Sequence, residues 1–222
     1  MDNLKKLLDK ASQEKRKPLV GLIDSVYTPT SSSDDIIKGI KWLHRNLLED
    51  FWRDVFGSQE TYTDVLLSIC KHLDIKESSN QSPVHLEQLI GQKVMLSVWG
   101  KMTTEQRKNF NAEIEKMASK HGKSTEWIKA GGLGAVIVAG ELGGFSTYLL
   151  ATSSLATLTG ALGVTLPFVA YTSLTSALSL ILGPVGWIGA GLYAVMKISG
   201  TNYKKLIPVV LYISALRNEP KY

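Results

Sequence analysis

The chain has 222 residues, room for one large domain or a smaller one joined to a membrane segment, with 25 Lys/Arg, 20 Asp/Glu and a single cysteine. The formal charge of +5 is spread without a dense basic stripe, so a nucleic-acid partner is not expected. Cys70 alone can close no intramolecular disulfide and no cysteine-rich zinc site. His44, His72, His85 and His121 are scattered without metal-ligand spacing, and no GxGxxG or GxxxxGK[ST] cradle occurs. No cofactor, metal or catalytic residue is expected, and the chain reads as a non-enzyme.

The N-terminus lacks a long apolar core followed by a small-residue cleavage site, so it is not expected to be a secretory signal. Residues 2–16 predict a short charged helix with Leu4, Leu7 and Leu8 on one side. Loops are expected at Pro18 and from Pro29 to Ser33, with Ser33 or Asp34 capping the next helix. There Ile36, Ile40, Leu43, Leu47 and Phe51 recur at helical spacing, widened by Trp42, Trp52 and Val55, until Gly57. A third stripe comprises Tyr62, Val65, Leu66, Ile69, Cys70 and Leu73. Pro83 suits the first turn of a fourth helix, which carries Leu86, Ile90, Val94 and Val98 to about Trp99. Thr103 to Gln106 has capping-box spacing and opens a helix with Phe110, Ile114 and Met117 that stops at Gly122.

The character of the chain then changes. From Leu142 to Met196 there are 55 residues without an Asp, Glu, Lys, Arg or His, and Glu141 is the one charge between Lys129 and Lys197. A surface helix in water needs a polar face, so this tract must be enclosed by protein or by lipid. About 20 apolar residues cross a bilayer as a helix, which leaves room for two spans and a turn. Pro167 and Pro184 divide the tract into expected helices at about 126–152, 153–166, 168–182 and 185–198. A last helix is expected at about 202–217, with Pro208 at or near its first turn.

Length and lack of charge favour lipid, whereas 13 Ser/Thr within 142–196 suit a buried hairpin sheathed by the amphipathic helices. A third reading stores the hairpin in that sheath and releases it on a trigger, as in pore-forming toxins; architecture alone does not establish such a function. Lys116, Lys120, Lys123 and Lys129 precede the tract and Lys197, Lys204 and Lys205 follow it. Basic flanks tend to stay cytoplasmic, which favours an even number of spans. Gly140 and Gly144 form a GxxxG, and Gly186, Ala190 and Ala194 recur at four-residue spacing. Such small residues allow close helix approach in lipid and equally in a protein core. Glu141, if held in lipid, would be protonated, paired or lining a wet cavity; a helix-end carboxylate reaching solvent is the simpler alternative.

Three patterns carry a family resemblance: Val98-Trp-Gly-Lys-Met102 running into Thr103-Thr-Glu-Gln-Arg-Lys-Asn-Phe110; Gly183-Pro-Val-Gly186 through Gly191; and Ser199-Gly-Thr-Asn-Tyr203 followed by Leu206-Ile-Pro-Val-Val-Leu211 and Ile213-Ser-Ala-Leu-Arg217. Over roughly 85–125 and 180–220 the chain resembles the bacterial YaaW-like family, grouped with the ubiquinol–cytochrome c chaperones. The resemblance implies a mostly helical bacterial protein, and the chaperone grouping implies help in assembling a membrane complex.

The expected fold is all-α: an amphipathic helical bundle over 1–125, then an apolar, potentially membrane-inserting helical region with a C-terminal helix over 126–222. The expected partner is the lipid bilayer, at the cytoplasmic side of the bacterial inner membrane, together with a second copy or another protein. The alternative is a cytoplasmic, chaperone-like assembly factor with the apolar helices as its core.

Overall fold

The third stripe shows how sequence becomes structure most directly. Residues Tyr62–His72 are helical, and Tyr62, Val65, Leu66, Ile69 and Cys70 are all buried. The helix starts where Thr61 accepts from the Asp64 amide while the Asp64 carboxylate accepts from the Thr61 amide, a reciprocal cap. It ends with Asp74 at φ 55°, where the Ile75 amide donates to the Cys70 carbonyl at 2.8 Å and the Asp74 amide to Lys71 at 3.2 Å. That is a Schellman ending without glycine; aspartate is among the few residues that tolerate the left-handed region.

The structure, a computed structural model, describes residues 2–23, 28–45, 60–76, 80–101 and 203–217, with isolated helical positions at 104, 107, 108 and 112. Six helices form among them: α1 (Asp2–Lys10), α2 (Gln13–Ile23), α3 (Ser33–Arg45), α4 (Tyr62–His72), α5 (Pro83–Lys101) and α6 (Tyr203–Arg217). No strand occurs among the described residues, and the fold is all-α as expected. The stretch from Leu47 to Gly57, most of the helix expected after Thr103, and every helix expected across 126–198 lie outside the described residues.

Four details differ from the sequence expectation. The first helix is two: α1 ends at Lys10 and α2 begins at Gln13. Ser12 caps α2 by accepting from the Lys15 amide at 3.4 Å, while the Arg16 guanidinium donates to the Leu8 carbonyl at 3.0 Å and satisfies the end of α1. Pro18 lies inside α2 rather than in a loop, because Pro18, Leu19, Leu22 and Ile23 are all buried on the bundle and that burial outweighs one missing backbone hydrogen bond. The cap of α3 is Ser32, one residue before the expected position, whose hydroxyl accepts from the Asp35 amide at 3.1 Å. Pro208 likewise lies in the second turn of α6, within a buried run that holds the helix together.

α6 is the helix around which the others are arranged. Leu206, Ile207, Val209, Val210, Leu211, Tyr212, Ile213 and Leu216 are all buried, so no side of its middle faces water, as expected of a helix apolar all round. It packs against α2, α3, α4 and α5, while α1 packs on α3 and α4 on α5. Each such side chain stabilises the bundle by about 1.5–3 kcal/mol relative to exposure. α2 runs antiparallel to it: the Tyr212 hydroxyl donates to the Lys15 carbonyl at 2.7 Å, and Lys205 Nζ to the Ile23 carbonyl at 3.2 Å. One core thus joins Leu4, Leu8, Leu22, Ile40, Leu66 and Ile90 to the C-terminal helix, although about a hundred residues of sequence separate α5 from α6.

Candidate functional site

The described residues around the uncharged tract are the two helices that bracket it, α5 before and α6 after, and these pack against each other. Their buried polar contact is the main electrostatic feature of the bundle. Arg217, at the end of α6, donates from Nε to Glu87 Oε2 at 2.9 Å and from Nη2 to Glu87 Oε1 at 3.0 Å. A third guanidinium nitrogen donates to Asn3 Oδ1 at 3.1 Å, which ties in α1. The Glu87 side chain is fully buried and that of Arg217 is 13% exposed. A two-pronged Arg–carboxylate fork satisfies both oxygens, yet desolvating two charges is costly. Burial pushes the Glu87 carboxyl above its ordinary value, and the Arg217 guanidinium only partly offsets this. The Tyr62 hydroxyl, buried beside the pair, closes no hydrogen bond of ordinary geometry; burial first, then the Glu87 charge, raises its pKa well above the usual phenol value.

At the other end of α6, Tyr203 stacks on His72 with ring centroids 3.9 Å apart and planes inclined by 15°. Burial lowers the His72 pKa and raises that of Tyr203. A second buried polar pair, His44 and Glu60, joins through Nδ1 and Oε1, with Arg45 Nε 3.6 Å from the other Glu60 oxygen. Among the described residues, no group of three or more His, Cys, Asp or Glu is placed to hold a metal ion, and Cys70 is buried.

Of the residues expected to flank the uncharged tract or to pack within it, only Lys204 and Lys205 fall among those described. Both lie in the first turn of α6, and Lys205 closes the last carbonyl of α2. Lys123, Lys129, Gly140, Glu141, Gly144, Gly186, Ala190, Ala194 and Lys197 lie outside the described residues. The sequence reading missed Glu87–Arg217 and His44–Glu60. A signal existed for three of these four residues: Glu87 precedes Ile90 and Val94 by three and seven residues, and His44 follows Ile36 and Ile40 by eight and four, so both lie on apolar stripes. Arg217 likewise follows Val210 and Ile213 by seven and four residues, whereas Glu60, before the start of α4, gave no such signal.

The chain is similar to UPF0174 proteins. It is 27% identical over 163 residues to one from Helicobacter pylori, covering 72% of this chain and 62% of that protein. A second Helicobacter pylori UPF0174 protein is 25% identical over 183 residues, covering 79% and 83%. UPF0174 protein YaaW of Escherichia coli is 26% identical over 161 residues, covering 72% and 62%. The chain thus spans about three-fifths of the length of the first and third of these relatives. No family model matches the chain, and no solved structure matches it. The relatives bear out the YaaW-like resemblance; their names state no activity.

Proposed function

We propose that the chain is a non-enzymatic, membrane-associated protein whose uncharged tract 142–196 enters the bilayer while the helical bundle stays in water. The observation that carries this reading is the occupancy of the bundle's core. The apolar faces of α1 to α5 are turned on one another and on α6 in one continuous cluster. Among the described residues those faces already have apolar partners in one another and in α6, which supports a surround other than the bundle for the 55 uncharged residues. A tract of that length without a charged face still needs an apolar surround, and lipid supplies one. Among the described residues no helix is long and apolar enough to cross a membrane; the role falls to the tract, with Lys123, Lys129, Lys197 and the first turn of α6 at its borders. Permeabilisation of the bilayer is a further step of the same reading, separable from passive anchoring.

The 13 Ser/Thr of the tract support the competing reading, a soluble, chaperone-like assembly factor that buries the tract in protein. Alkaline carbonate washing of membranes containing the untagged protein at native level separates the two. Retention in the membrane pellet is expected, and release into the supernatant would overturn the membrane reading. Dye leakage from liposomes then distinguishes a pore former from an anchor.

A further inference from the structure

We infer that the C-terminal helix α6 is a clasp: by docking at the centre of the N-terminal bundle it binds the two ends of residues 102–202 into one folded body. The membrane consequence, that both ends stay on one side of the bilayer, rests on the proposed function; the clasp itself does not.

Three independent features of α6 carry the inference. It is buried on every side from Leu206 to Ser214, so the core of α2, α3, α4 and α5 lacks its central element until α6 docks. Polar contacts fasten it along its whole length and to four other helices: Tyr203 stacks on His72 of α4, Lys205 and Tyr212 bond the backbone of α2, and Arg217 forks onto Glu87 of α5 and reaches Asn3 of α1. Finally, the order of the chain puts α6 after the whole uncharged tract. The bundle can therefore close only once that tract has been synthesised, and closure returns the chain to the body it left at α5. If the tract enters a bilayer, it must come back across it. The basic flanks point to an even number of crossings from charge alone; the clasp requires it from packing.

The test uses the full chain with Cys70→Ser and one added cysteine at a time, mixed with sealed vesicles of phosphatidylethanolamine and phosphatidylglycerol. A thiol at buried position 210 (Val210→Cys) is expected to react with a membrane-impermeant maleimide at least about 100-fold more slowly than in urea, as for a core position that opens only globally. Thiols at Lys71→Cys and Lys221→Cys are expected to react fully from outside in the same preparation. Reaction at 210 as fast as at 71 would overturn the clasp, and so would labelling of 71 and 221 from opposite sides. If the protein does not bind the vesicles, the membrane reading fails and position 210 in solution still decides: slow reaction upholds the clasp and fast reaction ends it. Should Val210→Cys not fold, amide hydrogen exchange of the unsubstituted chain replaces it. Amides of 209–214 must then exchange as slowly as those of Leu66 and Ile69, and early exchange would refute the clasp.

Discussion

Helix α6 and the tract 142–196 share a vocabulary of Leu, Val, Ile and Ala, and neither has a hydrophilic face. They differ in length and in charge. α6 has 15 residues, is enclosed by four helices, and keeps its charges at its ends, where Lys205 meets a carbonyl and Arg217 a carboxylate. The tract is more than three times longer and carries no charge at all. Four helices, α2, α3, α4 and α5, pack against this one short helix. An apolar helix is thus not evidence for a membrane by itself; the decision lies in how much amphipathic surface the same chain has left to cover it.

The sharpest way to break this comparison is one kind of substitution made in each region. Val210→Arg in α6 puts an unpaired charge in the core and should cost more than about 4 kcal/mol, enough to unfold a marginal bundle. Leu178→Arg in the tract should leave urea unfolding of the bundle unchanged. It should instead weaken retention of the protein in carbonate-washed membranes, since a charge at mid-span costs about 2.5–3.5 kcal/mol on insertion scales. If Leu178→Arg unfolds the bundle and leaves retention intact, the tract is core and the two regions are alike.

Next in size is the fork that fastens the end of α6. Arg217→Ala strands the fully buried Glu87 carboxylate and should destabilise by about 3–5 kcal/mol in urea titration. The double substitution Glu87→Met with Arg217→Met should be close to neutral, or stabilising by up to about 4 kcal/mol, because an apolar pair avoids the desolvation cost. A double variant as unstable as Arg217→Ala would mean that the fork contributes net stability.

These two residues also show where sequence legibility stops. The stripe of α4 was readable because five buried positions repeat with the helical period, and local order fixes them. Glu87 could be placed on a buried face by the same rule, but its partner lies 130 residues away. No local rule pairs charges across that distance; the docking of α6 does. Pro18 misled for the converse reason, since a local breaker was overridden by its own burial and that of Leu19, Leu22 and Ile23 after it. The residues expected to act at the membrane were legible as composition only, and of them Lys205 alone has a side-chain contact to report.

A smaller effect tests how closely α3 must approach α2. A Cβ on Gly39 would lie 2.7 Å from Ile23 Cγ2 and closer still to Thr28 Oγ1. Ile23 ends α2 and its carbonyl receives Lys205, so moving it disturbs the anchoring of α6. Gly39→Ala should therefore destabilise by about 1–3 kcal/mol through overpacking, although alanine is the better helix former. A stability equal to or above that of the parent would mean that α2 and α3 can separate without loosening α6.

The smallest expected effect is a pH dependence at the start of α6. His72 stacks on Tyr203, and burial holds its pKa below the ordinary value of 6.5. The unfolded chain therefore binds a proton more readily than the folded one. By linkage, the contribution of His72 to stability is fully present above about pH 6.5 and is lost as pH falls through that value toward the lower folded pKa. Glu87 acts with the opposite sign: its folded pKa is raised, so its contribution is present at low pH and fades as pH rises through the folded value. Comparing the chain with His72→Gln cancels Glu87 and every other shared group. Between pH 8 and pH 5.5 the urea midpoint of the parent should fall further than that of the variant. Equal falls would show that the His72–Tyr203 stack does not couple protonation to the docking of α6, and would leave the junction between the tract and the bundle insensitive to acid at this residue.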